Sequence, residues 1–252
     1  MKHLTRLTGT HRYAAFGAVL LLAATSSSLA AADDGPGPFG VTVQAAANSA
    51  SARVGALFRG HLADGHFCTA SVVHSKGRDL IVTAAHCVDG GGKLRFAPGY
   101  RDGKAPYGVW EVERTYLGDA WTGAQDEDSD VAFAVVADDD EGESVEDVVG
   151  GNAFATHRTT GATAVTVTGY PNTLDTPITC TNKPTVHSSS QQRIECPDFT
   201  GGTSGSPWVN GDGAVVGILG GHEQGGSTAD ISYSVVLGDE AAALYSAAAD
   251  RS

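Results

Sequence analysis

From about Ala52 the chain breaks into short apolar or alternating runs separated by Gly, Asp, Asn and Pro, and this punctuation most limits what it can fold into. In the first half the runs are Val54–Arg59, His66–Val73, Leu80–Ala84, Val109–Tyr116 and Val131–Val136. After an acidic stretch at Asp138–Asp147, a solvated linker by composition, come Ala164–Thr168, Ile178–Val186, Gln192–Cys196, Pro207–Asn210, Ala214–Leu219 and Ile231–Leu237. Runs of this length bounded by turn residues read as strands. Thirty-three glycines in 252 residues and 7% aromatics suit many tight turns better than long packed helices. Only Asp239–Ala249, acidic at its start and rich in alanine, reads as a helix. An all-β chain in two halves is expected, each half large enough to close as a barrel.

Lys2, Arg6 and Arg12 give a basic start, Tyr13–Ala24 is apolar, and small residues follow through Ser28-Leu29-Ala30. That order reads as a secretory signal peptide over residues 1–32. The apolar run is shorter than the roughly 20 residues a spanning helix needs, and no later stretch is long and apolar enough, so no membrane association is expected after cleavage. Loss of residues 1–32 leaves 13 basic against 29 acidic side chains, a formal charge of −16. Nucleic acid is not an expected partner, because its binding needs a basic stripe. The acidity serves solubility, and a secreted, extracellular monomer is expected.

In an exported chain the 4 cysteines read as two disulfides. Three connectivities are possible; the spacing favours local pairs, Cys68 with Cys87 and Cys180 with Cys196. Zinc is the other use for such residues, but there is no C-x-x-C and no H-E-x-x-H, so no metal and no cofactor are expected.

Two strings carry chemistry. Thr83-Ala84-Ala85-His86-Cys87 follows the apolar run Leu80-Ile81-Val82; small residues around His86 and a disulfide beside it would give a general base the fixity it needs. Gly201-Gly202-Thr203-Ser204-Gly205-Ser206-Pro207-Trp208 is a glycine-rich turn entering a strand. A serine there needs a base to take its proton and backbone amides to meet the oxyanion, and glycine permits that close approach. Taken alone, His86 could be a core histidine and Ser204 a turn serine. His61, His66, His74, His157, His187 and His222 have no ligand spacing and read as surface or packing residues, with only His222 near the expected cleft.

Together the two strings, with His before Ser, resemble the chymotrypsin-fold serine proteases, especially secreted bacterial members and the glutamyl endopeptidase branch. The resemblance covers roughly residues 50 to 248. It implies two six-stranded antiparallel β-barrels with the active site between them, and endopeptidase chemistry on polypeptides through an acyl-enzyme. Its domains would be a signal peptide at 1–32, a short extension or propeptide at 33–50, a first barrel at 51–140, and a linker with the second barrel and terminal helix at 141–252. Family order calls for an aspartate between His86 and Ser204, ahead of an apolar strand. Asp130 abuts Val131-Ala132-Phe133, whereas its neighbours Asp126 and Asp128 do not. The catalytic set is then His86, Asp130 and Ser204, with the Gly202 and Ser204 amides as the oxyanion hole.

The chain departs from the family twice. Thr203 stands where many members carry an aspartate that pairs with a freed N-terminal amine, and Thr200 stands where many carry a cysteine. With Thr203 the oxyanion loop is expected to be self-supporting, and with Thr200 the walls of the specificity pocket must be held differently. In the specificity pocket the resemblance offers conflicting templates. Leu219 replaces the histidine of glutamyl endopeptidases. Asp198 has the offset of the charge-selecting aspartate of trypsin-like members, with Gly220 and Gly221 leaving room for a long side chain, which favours Arg before the scissile bond; the alternative is that Asp198, following Cys196-Pro197, is a solvated loop residue. Two other functions remain open on sequence: a protease-shaped binding protein without turnover, and an exported esterase.

Overall fold

The computed structural model describes residues 38–139 and 141–250, so the signal-peptide reading lies outside the described residues. In chain order the strands are β1 (Thr42–Gln44), β2 (Val54–Arg59), β3 (His66–Val72), β4 (Leu80–Thr83), β5 (Leu94–Pro98), β6 (Trp110–Leu117), β7 (Ala132–Val136) and β8 (Ala153–Phe154). They continue as β9 (Val165–Gly169), β10 (Ile178–Asn182), β11 (Thr185–Val186), β12 (Gln191–Glu195), β13 (Pro207–Asn210), β14 (Ala214–Ile218) and β15 (Ile231–Val235). The expected terminal helix spans Asp239–Ala249.

The first half closes as a barrel in the order β2-β3-β4-β7-β6-β5. Strand β5 completes it by pairing with both β2 and β6. Leu57, Val72, Leu80, Val82, Phe96, Trp110 and Phe133 belong to a core fully shielded from solvent. All four residues of β4 are buried, which is why this strand reads as a continuous apolar run rather than an alternation.

The second half stays open. Its strands form a six-stranded sheet, β1-β10-β9-β13-β14-β8, and a three-stranded sheet, β11-β12-β15. The sheets meet at two corners, each through one backbone bond, Gly40 N–H to Glu195 O at 2.9 Å and Gly220 N–H to Tyr233 O at 3.0 Å, with side-chain bonds from Asn182 Nδ2 to Glu195 O at 2.8 Å and from Gln192 Nε2 to Val216 O at 3.1 Å beside them. Between β14 and β15 the ladder is interrupted: Ser234 Oγ takes the Ile218 N–H at 2.9 Å. The expected all-β architecture holds, with one barrel closed and the other half divided. The expected strand Ile178–Val186 is two strands because Pro184, which has no N–H to give a ladder, falls inside it. The acidic stretch read as a solvated linker, Asp138–Asp147, runs into a short helix, Val145–Val149, in which Val145, Glu146 and Val149 are buried.

Candidate active site

Strand pairing brings His86 and Asp130 together. In the antiparallel pair β4 and β7, Thr83 lies opposite Ala132, so the exit of β4 and the entry of β7 share one end of the barrel. His86 lies in the helical turn Ala85–Val88 just after β4. Asp130 follows the 3₁₀ turn Glu127–Ser129, whose start is capped by Asp126 through the Asp128 N–H at 3.0 Å. The two rival aspartates are thus exposed turn residues, while Asp130 is 1% exposed.

Both carboxylate oxygens of Asp130 are engaged. Oδ1 accepts the His86 backbone N–H at 3.0 Å; Oδ2 accepts His86 Nδ1–H at 2.7 Å and the Gly221 N–H at 2.8 Å. An ionised carboxylate only accepts, so the ring proton sits on Nδ1 and Nε2 is left as the basic nitrogen. A Cβ on Gly220 would lie 2.8 Å from Asp130 Oδ2, so this closeness requires glycine. Behind the histidine, the Cys68–Cys87 disulfide joins β3 to the His86 turn, with Cα atoms 6.1 Å apart. The second bridge is Cys180–Cys196. Both expected pairings are present.

Ser204 is partly exposed, on the turn before β13. Its carbonyl accepts the Thr69 N–H of β3 at 2.8 Å, which fixes the serine turn to the barrel. Gly205 packs so tightly there that a Cβ would run into the Thr69 carbonyl and Thr83 Oγ1. Among the described residues no hydrogen bond joins Ser204 to His86, and neither the Gly202 nor the Ser204 amide has a protein acceptor. Gly202 takes φ 96°, a conformation that glycine adopts without strain.

A cavity of about 410 Å³ opens beside Ser204, between Phe199, Thr200, Leu219 and the segment Gly226–Ala229, with Glu223 and Gln224 at its rim. Its walls are tied by Phe199 N–H to Ala229 O at 3.0 Å. Asp198 does not line it. The backbone there is left-handed, φ 70°, so Asp198 is exposed and Phe199 takes the buried position. Gly220 and Gly221 lie against Asp130 instead of lining this cavity. The offset from Ser204 points to Asp198, and Gly220 and Gly221 are expected to leave the pocket open; none of the three is among the residues around the cavity beside Ser204. His222 lies behind the Asp130 turn, with Nδ1 3.5 Å from Glu127 Oε2 and its ring tilted against His187 and edge-to-face with Tyr233.

Sequence reasoning missed Thr69. This fully buried threonine accepts Thr83 Oγ1 at its carbonyl and bonds to Tyr170 and Gly202 through its own hydroxyl. Within His66–Val72 a threonine is an ordinary strand former, and only its position after Cys68 hints at more.

The family described as trypsin-like peptidase domain matches residues 68–218. No curated protein matches the sequence. Among solved structures, the protease Anisep from Arthrobacter nicotinovorans is 26% identical with a TM-score of 0.71, over 83% of this chain and 99% of that one. The thermostable serine protease AL20 from an extremophilic microorganism is 28% identical with a TM-score of 0.71, over 81% of this chain and 100% of that one. A Glu endopeptidase in complex with MPD shares the fold at 17% identity and a TM-score of 0.69, over 85% of this chain and 99% of that one.

Proposed function

The chain belongs to the trypsin-like peptidase family and is a serine endopeptidase, and from that premise we propose that Ser204, His86 and Asp130 perform its chemistry. Ser204 Oγ attacks the scissile carbonyl and passes its proton to His86 Nε2. Asp130 holds the Nδ1–H and stabilises the imidazolium, and the Gly202 and Ser204 amides receive the oxyanion. The imidazolium then gives its proton to the leaving amine. Water, activated by the same Nε2, releases the acyl group. The observation that carries the assignment is the double engagement of Asp130 by His86, at 3.0 and 2.7 Å, in a buried site at the mouth of the barrel. The missing bond between His86 and Ser204 is compatible with it, since such contacts are often long before substrate binds.

The side chain before the scissile bond would enter the cavity walled by Phe199, Thr200, Leu219 and Ala229. In that reading Asp198 does not select charge. The acting protein would be the secreted, extracellular monomer without residues 1–32, with 33–50 as extension, 51–140 as the barrel half and 141–252 as linker, second half and helix. Two disulfides support an oxidising compartment. Among the described residues no helix is long and apolar enough to cross a membrane.

A fluorophosphonate that reacts only with an activated serine tests the nucleophile. Label on the tryptic peptide carrying Ser204, absent from Ser204→Ala, is the expected result. An unlabelled protein would turn the reading toward a binding protein, and turnover of esters without peptides toward an esterase. N-terminal sequencing of protein from the medium tests export.

A further inference from the structure

The two amides assigned to the oxyanion lie on peptide planes separated by one other, the plane joining Gly202 to Thr203. A peptide is planar and trans, so its C=O and N–H point opposite ways and fixing the carbonyl aims the amide. The Gly201 carbonyl accepts the Asn172 N–H at 2.8 Å, which aims the Gly202 amide. The Thr203 carbonyl accepts Ser206 Oγ at 2.6 Å and Ser206 N–H at 3.0 Å, which aims the Ser204 amide. Both of these partners come from the open half, near the loop itself.

The middle plane is held differently. Thr203 N–H donates to Thr200 O at 3.1 Å, and the Gly202 carbonyl accepts Thr69 Oγ1, from the barrel, at 3.0 Å. The Thr69 hydroxyl has no choice of direction. Tyr170 N–H donates to it at 2.9 Å, so its one proton is left for Gly202. Thr69 is fully buried, so water cannot substitute for the bond. Gly202 has no side chain to resist rotation about its own torsions, and turning the middle plane would swing the two outer planes apart.

The geometry points to Thr69 as a positioning residue whose hydroxyl sets the oxyanion hole from the opposite half of the molecule. This rests on Ser204 being the nucleophile. Thr203 and Thr200 cannot supply an ion pair or a disulfide to the loop, and the Thr69 bond takes over that support.

The test compares Thr69→Val, Thr69→Ala and Thr69→Ser with the parent enzyme. Val keeps the shape and loses the hydroxyl; Ala loses the hydroxyl and the methyl, adds nothing bulky, and serves if Val does not fold. Both should lower kcat roughly 10- to 100-fold with KM within about twofold, since the hole acts on the transition state. Affinity for a peptide aldehyde, whose adduct oxygen occupies the hole, should fall by the same factor as kcat/KM. Thr69→Ser should recover kcat to within about threefold of the parent. Unchanged kcat in Val and Ala overturns the proposal, as does a loss confined to KM, or a Ser variant as impaired as Val. Fluorophosphonate labelling separates the two levels: a parent unlabelled at Ser204 removes the nucleophile and this inference with it, whereas a labelled parent indifferent to Thr69 removes this inference alone.

Discussion

His86 and Ser204 are held by different kinds of structure. The histidine stands at the mouth of a closed barrel, backed by a disulfide and by a buried carboxylate bonded to its ring and its backbone. The serine stands in a half whose two sheets meet at isolated backbone bonds and side-chain bonds rather than a continuous ladder, in a loop fixed by threonine and serine hydroxyls and by glycine conformations. A closed ladder satisfies its own backbone, leaving side chains free to pack; an open one satisfies its seams with isolated backbone bonds and polar side chains. The barrel side should therefore be sensitive to charge and volume, and the serine side to the loss of single oxygen atoms.

The largest effects are expected at the proposed reacting groups. Ser204→Ala should lower peptide turnover by roughly five to six orders of magnitude with the melting temperature little changed. Appreciable proteolysis by that variant would refute the nucleophile. Asp130→Asn should cost about four orders in kcat, because the amide can donate to Nδ1 and so favour the wrong tautomer of His86. If Asp130→Asn were nearly as active as the parent, the barrel side would not owe its strictness to charge.

The two disulfides sharpen the comparison. They span 19 and 16 residues, so replacing either pair by alanine should cost about 3 kcal/mol in denaturant titration. Only loss of Cys68–Cys87, which adjoins His86, should also lower kcat at a temperature where both variants are folded. Equal loss of kcat in both would erase the distinction between the halves.

The smallest effect is on pH. His66 packs against Phe58, Tyr100 and Tyr170, and burial lowers its pKa despite the Leu174 carbonyl and nearby Asp175, which act the other way. Unfolding frees the imidazole to titrate near 6.5. Between the lowered value and 6.5 the unfolded chain binds more protons, so this stability is present above 6.5 and lost as pH falls below it. Denaturant titrations from pH 7 to 5 should show a decline that flattens in His66→Phe. An unchanged slope would show that His66 contributes nothing to it.

Much of this was legible in the sequence because the signals were local. Runs such as Pro207–Asn210 and Asp239–Ala249 emerge with the expected bounds, and Asp130 could be chosen over Asp126 and Asp128 because it alone adjoins the apolar strand. What stayed hidden depends on distant partners. Strand β5 follows Gly90-Gly91-Gly92 and ends at Pro98, so little marks it as a strand until β2 and β6 flank it. The two-residue β8 exists only as the parallel neighbour of β14. Counting from Ser204 reaches Asp198 but cannot register that this residue is left-handed, with its side chain exposed and that of Phe199 buried.

Strand β1 also escaped notice, and it bears on maturation. It lies at the outer edge of the six-stranded sheet, paired with β10 from Thr42 to Gln44. Thr42 Oγ1 donates to the Pro197 carbonyl at 2.6 Å, and Asn182 Nδ2 to the Pro38 carbonyl at 3.1 Å. A processing protease that trimmed the chain beyond Gln44 would leave the edge of β10 bare, a row of unpaired backbone groups able to recruit a strand from another molecule. The stretch from Pro38 to Gln44 thus behaves as a hem sewn to the sheet, and shelf life in concentrated solution should depend on keeping it.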